Sequence, residues 1–221
     1  MRKTFFLCMA LVLVFIMFPL NSQATSTSIF INEIHYDNVG TDTGEGIEIA
    51  GPAGTDLAGW NIVLYNGNGG AVYNTRTIPS GTTIPNQENG FGTVFESYPA
   101  NGIQNGSSPD GIALVSPSVT VMQFLSYEGV FTATDGPAIG LTSTDIGVSE
   151  DGTTPVGDSL QLVGTGTYYE DFLWSGPTPN TFGGVNTGQS FSAQSVPEPG
   201  TMLLVGTGLV GLAGLRRRFR K

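Results

Sequence analysis

Cysteine, lysine, arginine and histidine are all scarce in this chain of 221 residues, and most of all between residues 25 and 195. That stretch has no cysteine and no lysine, and it holds one arginine, Arg76, and one histidine, His35. Disulfide crosslinks, thiol nucleophiles and Schiff-base lysines are therefore excluded from it. Catalytic zinc is not expected either, because most zinc sites use several histidine or cysteine ligands.

Acidic residues dominate the charge of the same stretch. It carries seventeen aspartates and glutamates against one basic residue, a net charge of −16 with His35 neutral. The value for the whole chain is −10, because seven of the eight basic residues lie near the two termini. A surface of this sign repels phosphate backbones, so binding to nucleic acid is not expected. Such a surface suits the solubility of an extracellular domain.

The amino-terminal residues 1–24 have the features of a secretory signal peptide. Two basic residues come first, an apolar run covers residues 5–20, and Ser22-Gln23-Ala24 precedes Thr25. Small residues at the third and first positions before a cleavage point are typical of such signals. We therefore expect a signal helix that directs export through the Sec machinery and is then removed, together with the single cysteine, Cys8.

Between residues 25 and 195 the sequence predicts strands and no long helix. Short apolar, β-branched and aromatic runs alternate with turn sequences, including eight Asn-Gly or Asp-Gly pairs that favour tight hairpins. The predicted strands are Ser28–Tyr36, Glu45–Ile49, Trp60–Tyr65, Ala71–Thr77, Gly92–Glu96, Gly111–Val115, Val119–Tyr127, Ser159–Val163 and Tyr168–Trp174. Many short strands joined by turns predict an all-β fold, an antiparallel β-sandwich. Ile31 and Ile34 break strict alternation, which leaves the buried face of the first strand open.

Burial can be predicted for a few positions. Leu57 and Trp60 follow each other across a short turn, and we expect both to be buried against a sheet. Trp174 is also expected in the core rather than on a binding surface. Residues 177–195 are rich in glycine, serine, threonine and asparagine, and this composition predicts a closing loop that continues as a flexible spacer to the tail.

Three segments resemble the lamin-tail domain found in bacterial exported proteins. They are Ile31-Asn32-Glu33-Ile34, Asp42-Thr43-Gly44-Glu45-Gly46-Ile47-Glu48-Ile49 and Asp56-Leu57-Ala58-Gly59-Trp60. The similarity continues through Pro109–Val115, Phe124–Gly129, Ser159–Leu162, Trp174, Asn186 and Gln189. The resemblance implies an immunoglobulin-like β-sandwich over residues 25–176. Gly46 departs from the family pattern, which has a large residue there, and looser packing is expected around it.

The carboxyl-terminal residues 196–221 consist of three parts in order. Val196-Pro197-Glu198-Pro199-Gly200 is followed by fifteen uncharged residues, Thr201 to Leu215, and then by Arg216-Arg217-Arg218-Phe219-Arg220-Lys221. As a helix the uncharged part would be about 22 Å long, which is short for a hydrocarbon core of about 30 Å. The basic end is expected to stay on the cytoplasmic side. We therefore predict a short transmembrane helix that is inserted transiently during export.

This order of parts resembles the PEP-CTERM sorting signal, which has a Pro-Glu-Pro triplet, a short apolar helix and an arginine-rich end. Val196, Pro197, Glu198 and Pro199 match its sorting motif. The resemblance implies that an exosortase, a membrane-embedded transpeptidase-like enzyme, recognises and removes the tail. It also implies an inner-membrane intermediate and then a cell-surface or extracellular protein in a Gram-negative bacterium. The alternative is a short membrane anchor that is never cut.

The sequence does not predict a catalytic site. A Ser-His-Asp arrangement would have to use His35, which lies in the first predicted strand, and no nucleophile-elbow motif is present. A pair of carboxylates could hydrolyse a glycoside, but among seventeen acidic residues some pair has a suitable separation by chance. We therefore predict that the protein is not an enzyme. A small hydrolase is kept as an alternative, ranked third after the two functions given below.

The sequence offers acidic and aromatic candidates for ligand binding. Asp42 and Glu45 are candidate ligands for one Ca²⁺, since calcium prefers hard oxygen ligands, and no other cofactor is expected. Their spacing fits no EF-hand loop, and the alternative is that these acids face solvent or cap turns. Phe91, Tyr98 and Phe131 are candidates for exposed loop aromatics that bind a glycan or a protein, or for core residues.

These observations predict an exported, non-enzymatic surface or matrix protein with a structural or adhesive role. Its expected partners are the exosortase, the Sec machinery and an exopolysaccharide. The alternative is a calcium-dependent carbohydrate-binding module. The fold alone cannot choose between these functions, because sandwich scaffolds carry many unrelated ones.

Overall fold

Strands make up nearly all the secondary structure of residues 27–193, the part of the chain that this computed structural model describes. They are β1 Phe30–His35, β2 Gly46–Pro52, β3 Asn61–Asn66, β4 Ala71–Thr77, β5 Phe91–Ser97, β6 Asp110–Val115, β7 Val121–Tyr127, β8 Thr144–Asp145, β9 Asp158–Gly166, β10 Phe172–Pro179 and β11 Gln189–Phe191. A short 3-10 turn, Tyr169–Asp171, precedes β10. The all-β prediction is therefore confirmed. The predicted signal helix and transmembrane helix lie outside the described residues.

The strands form two sheets. The first sheet has the order β10-β9-β1-β2-β5, with β11 also paired to β9, and the second has the order β4-β3-β6-β7-β8. Neighbouring strands are antiparallel except for the pairs β11 with β9 and β8 with β7. Ile47 and Ile49 of the first sheet share one buried apolar cluster with Ile62 and Leu64 of the second. The two sheets therefore face each other across a common core.

Each sheet also has an apolar outer face, which a long segment covers. In β3, Ile62 and Leu64 belong to the shared core, whereas Val63 and Tyr65 belong to a second cluster with Phe131. The alternation follows the two-residue period of a strand. Because both faces of β3 are buried, its sequence is a continuous apolar run rather than an alternating one. The outer face of the first sheet has its own cluster, which contains Phe30, Ala50, Phe91, Leu162, Phe172 and Phe191.

A β-bulge explains why the isoleucines of β1 do not alternate. Ile31 pairs with Ile49 and Glu33 pairs with Glu48, so the register shifts by one residue at Asn32. An extra residue on one strand lets positions three apart point to the same side. Ile31 and Ile34 consequently both lie in the shared core, where each is at most 1% exposed.

The strand predictions are accurate for the central sheets and incomplete at the edges. Each of the nine predicted strands overlaps an observed one, and β4 has the predicted bounds. The strand predicted to begin at Tyr168 begins four residues later, at Phe172, because Asp171 accepts hydrogen bonds from the Thr167 and Tyr168 N–H groups and closes the 3-10 turn. The two strands that were not predicted, β8 and β11, have two and three residues.

Residues 177–195 do not behave as the predicted spacer where the structure describes them. Strand β10 extends to Pro179, and β11 pairs with β9 along Gln189–Phe191. Asn186, Gln189 and Phe191 are 3%, 7% and 1% exposed. The composition gave a wrong prediction, because the polar side chains here are buried against polar partners on the first sheet. We call residues 180–193 the strap, since they cross the outer face of that sheet.

Trp60 is buried as predicted, Trp174 is only partly buried, and the loop aromatics are buried. Leu57 is fully buried and Trp60 is 8% exposed. Trp174 packs against the shared core, and its indole N–H donates to the Tyr169 hydroxyl at 3.0 Å. Phe91, Tyr98 and Phe131 are at most 9% exposed, so they belong to the core and offer no exposed aromatic platform.

The expectation of loose packing at Gly46 is wrong, because the Phe95 ring occupies the space beside it. A Cβ built on Gly46 would lie 2.1 Å from Phe95 Cε2 and 3.0 Å from the Glu96 carbonyl oxygen. Phe95 is the cross-strand neighbour of Glu48, and its ring stacks on Phe182 of the strap with centroids 4.1 Å apart. An aromatic side chain thus covers the bare backbone of a strand glycine.

Replacing Gly46 by alanine should therefore destabilise the protein, by about 1–3 kcal/mol, because the new methyl group overlaps a ring that is held from the other side. Urea unfolding of the purified protein measures the effect. Gly152→Ala is the matched control, since a Cβ at Gly152 meets nothing within 4 Å. In a Phe95→Ala background the alanine at position 46 should cost much less. An equal cost in both backgrounds would contradict the proposed contact.

Candidate functional site

The two ends of the sheets carry different features. Strand β9 runs antiparallel to β1 and β11 runs parallel to β9, so β11 ends where β1 begins. Thr27 and Ser192 both bond to the segment 167–169 at that end. We call it the proximal end. The opposite, distal end carries the loops 36–45, 67–70 and 98–109.

His35, the single histidine, lies at the distal end and is buried. Its Nδ1 is 2.9 Å from Glu150 Oε1, and its Nε2 lies 3.2 Å from Asn38 Oδ1 and 3.1 Å from the Thr43 carbonyl oxygen. Burial lowers the pKa of His35, but the hydrogen bond and the charge of Glu150 outweigh it, and the pKa is raised overall. Both ring nitrogens thus face acceptors, which favours the imidazolium form.

Glu150 completes this contact as a structural ion pair. Its Oε2 accepts the backbone N–H groups of Tyr36 at 2.6 Å and Asp37 at 2.9 Å. The Tyr36 ring stacks on Tyr127 of the second sheet with centroids 3.8 Å apart. His35 and Glu150 therefore fix a loop to the end of β1 and do not line an opening.

The calcium candidates Asp42 and Glu45 also bond to neighbouring loops. Asp42 accepts the Asn38 N–H at 3.1 Å and the Asn105 side-chain amide at 2.9 Å. Glu45 is fully buried, and its two oxygens accept the N–H groups of Gly102 and Ile103 at 2.7 and 3.0 Å. Between residues 27 and 193 no group of three or more histidine, aspartate or glutamate side chains is placed to hold a metal ion. Calcium binding stays a prediction.

A polar cleft of about 400 Å³ opens between the loops of the distal end. Its lining comes from three chain segments: Asp42 of the β1–β2 loop, Asn66 and Asn68 of the β3–β4 hairpin, and residues 101, 103–108 and 110 of the β5–β6 connection. Asparagine, glutamine, serine and aspartate supply nearly all of its polar atoms. Burial raises the pKa of Asp110, against the effect of the Gly67 N–H that bonds to it.

The sequence contains a signal for this cleft, but the Asn-Gly pairs that form it were interpreted only as turns. Four of the five Asn-Gly pairs contribute an asparagine to the cleft: Asn66, Asn68, Asn101 and Asn105. These pairs were predicted to lie in the turns between strands. The tertiary fold brings them together because the loops that contain them lie at the same end of the two sheets.

The strap is attached to the first sheet by a second buried polar network. Glu33 Oε1 accepts the Ser159 hydroxyl at 2.6 Å and the Thr181 N–H at 2.9 Å. Glu48 accepts the Asn32 side-chain amide at 3.0 Å and the Gly183 N–H at 2.6 Å. Both glutamates are fully buried. Two carboxylates on β1 and β2 therefore hold the strap at its beginning.

Two amide side chains of the strap return hydrogen bonds to the sheet. The Asn186 side-chain amide donates to the carbonyl oxygens of Asn32 and Leu162, each at 3.0 Å. The Gln189 side-chain amide donates to Asn32 Oδ1 at 2.6 Å. This pairing satisfies the polar groups that the strap buries, as a stable buried network requires.

Burial shifts the protonation of the strap network. It raises the pKa of Glu48 from 4.5 to about 8, although the donors Asn32 and Gly183 act in the opposite direction. Burial also raises the pKa of Glu33, again against its hydrogen-bond donors. The charge of Glu33 contributes to the shift of Glu48. The network thus favours a protonated Glu48 at neutral pH.

Comparison with known proteins identifies the tail. Residues 195–218 match the PEP-CTERM protein-sorting motif, which contains the predicted residues Val196, Pro197, Glu198 and Pro199. Exosortases recognise such motifs, which mark proteins for export to the cell surface or the extracellular space. The chain is therefore an exosortase-sorted extracellular protein with an all-β domain. Neither the characterised proteins nor the solved structures give a significant match.

The predicted transmembrane helix of the tail lies outside the described residues. In the part that the structure covers, no helix is long and apolar enough to cross a bilayer. One residue, Gln194, lies between Ala193, the last described residue, and the matched motif. The sorting motif thus follows closely after the strap along the chain.

The free energy of unfolding should fall between pH 5 and pH 8. In that range folded Glu48 keeps a proton that the unfolded chain has released, since its pKa rises from 4.5 to about 8. His35 acts in the same direction, because its raised pKa gives stability that is present below pH 6.5 and lost as the pH rises through the folded value. Urea unfolding at a series of pH values measures the slope.

Glu48→Gln should reduce the slope of the free energy of unfolding against pH and leave the part of the slope that His35 contributes. The amide cannot accept from both Asn32 and Gly183, so the variant should also be less stable at pH 5. Glu170→Gln, at an exposed glutamate, is the control and should keep the wild-type slope. Stability that rises from pH 5 to pH 8, or an unchanged slope in the Glu48 variant, would contradict this account.

Proposed function

We propose that the protein is a non-enzymatic, exosortase-processed domain displayed on the surface or in the extracellular matrix of a Gram-negative bacterium, with a structural or adhesive role. The observation that carries the proposal is the position of the strap. It ends at the proximal end, one residue away from the sorting motif, while the open cleft lies at the distal end. Processing at the tail therefore leaves the distal loops free to meet a partner.

The chain length between the domain and the motif supports close attachment. Three residues, Gln194 to Val196, lie between Ala193 and Pro197, so the two Cα atoms are at most about 14 Å apart in an extended chain. Pro197 and Pro199 restrict the local backbone to extended conformations, as suits a segment that a processing enzyme must bind. The domain is thus expected to stay next to the membrane or to whatever group receives it after cleavage.

A lamin-tail-like, immunoglobulin-like sandwich is the fold that we propose for the domain. Some of the segments on which the resemblance rests meet in one place: Asn32, Glu33 and Glu48 bond to the strap, which contributes Asn186 and Gln189. Those residues are far apart in the sequence. Their shared network accounts for a pattern in which polar residues recur inside otherwise apolar strands.

The environment of His35 supports a non-enzymatic role. Its ring is 1% exposed, and both nitrogens bond to groups that fix a loop. A general base must be able to reach the proton of a substrate. Carboxylates with raised pKa, such as Glu33 and Glu48, likewise have their oxygens engaged by the strap. This arrangement favours stability of the domain over chemistry.

Sorting is tested by the intact mass of the released protein, with the full chain expressed in a host that carries an exosortase. We expect a carboxyl terminus within residues 197–200, and Glu198→Ala should block the release by removing the acid of the motif. Glu170→Ala, which removes an exposed acid of the domain, should be released normally. A released chain that still ends at Lys221 would rule out processing. Normal release of the Glu198 variant would show that the enzyme does not recognise the triplet.

A further inference from the structure

The geometry points to the distal cleft as a binding site for a neutral, polyhydroxylated ligand, a short segment of an uncharged oligosaccharide. Its volume of about 400 Å³ lies within the range of about 300–1,000 Å³ of small-ligand sites. The inference deepens the proposed adhesive role and rests on it. It supplies that role with a ligand class and a set of contact residues, and it requires no metal ion.

The chemistry of the lining selects this class. The cleft contains no lysine, arginine or histidine, and it contains two carboxylates, Asp42 and Asp110. Anionic ligands are therefore repelled. Apolar ligands have one buried aliphatic side chain, Ile103, to contact. Carboxamides, hydroxyls and carboxylates together offer both donors and acceptors, which is what a hydroxyl group of a sugar needs.

Several of these polar groups have no partner within the described domain. The side-chain amides of Asn68, Asn101 and Gln104 make no hydrogen bond to any residue from 27 to 193, although the backbone N–H groups of all three do. Gln104 Oε1 is buried without a donor. Asn68 and Asn101 are exposed, so their amides are accessible to a ligand, whereas a buried acceptor such as Gln104 Oε1 is usually paired. The cleft thus contains binding capacity that the fold itself does not use.

The backbone beneath these side chains is held firmly. The Asn101 N–H donates to the Asp42 carbonyl oxygen at 3.2 Å. The Gln104 N–H donates to the Tyr73 hydroxyl at 2.9 Å, and its carbonyl oxygen accepts the Tyr127 hydroxyl. Glu45 fixes the two residues between them through Gly102 and Ile103. A site that is already ordered loses less conformational entropy when a ligand binds.

The position of the cleft fits a ligand outside the cell. The cleft lies at the opposite end of the sheets from Ser192, where the chain continues into the sorting motif. Attachment of the protein through its tail at the proximal end therefore leaves the cleft accessible. No aromatic side chain lines the cleft, so a single site is expected to bind weakly and many displayed copies together to bind strongly.

The test is titration of the secreted, isotope-labelled protein with neutral oligosaccharides, namely cellohexaose, maltohexaose and mannohexaose, followed by amide NMR shifts. Tetragalacturonate is the anionic comparison. We expect at least one neutral probe to shift amides of residues 66–68 and 101–110, with no change when EDTA is added. No shift with any neutral probe, shifts confined to other surfaces, or loss of binding in EDTA would overturn the inference.

Variants test the same site independently. The double variant Asn68→Ala, Asn101→Ala should bind about tenfold more weakly, since two hydrogen-bonding side chains are lost. Asn74→Ala removes an exposed asparagine of β4 outside the cleft and should bind as the wild type. Equal loss in both would count against the cleft. These results are separate from the processing test, because the intact mass of the released protein does not depend on a ligand.

Discussion

Buried glutamate carboxylates hold the loops of this domain onto its sheets. Glu33 and Glu48 accept N–H groups of the strap, Glu45 accepts those of the β5–β6 connection, and Glu150 accepts those that follow β1. All four glutamates are at most 1% exposed. A domain without cysteine cannot crosslink its loops covalently, and here hydrogen bonds from N–H groups to buried glutamate side chains hold the loops instead.

The same contacts give the domain its two distinct ends. Glu45 and the Tyr36–Tyr127 stack order the distal loops and thereby form the polar cleft. The strap, held by Glu33 and Glu48, brings the chain to the proximal end, where the sorting motif follows. The chain thus continues towards the sorting motif at the end opposite the polar cleft. The dependence on buried carboxylates also makes stability sensitive to pH, since burial raises the pKa of each glutamate of the strap network.

The sequence predicted the central strands more accurately than the segments that cover the sheets. The central strands followed from apolar runs and Asn-Gly turns, because strand period and turn chemistry are local properties. The bulge at Asn32 and the packing of Phe95 on Gly46 were not predictable, since both depend on the partner strand. The strap was interpreted as a spacer because its polar residues are typical of loops, and only their partners on the first sheet explain their burial.

The sequence by itself determined the destination of this protein and the class of its fold. The signal-like start, the Pro-Glu-Pro triplet and the basic end are read as linear segments, so the sorting motif needs no tertiary structure to be recognised. The tertiary structure alone decided which acids are buried and which asparagines share a cleft. Those residues come from loops far apart in the chain, and they meet only because the strands that precede them end on the same side of two packed sheets.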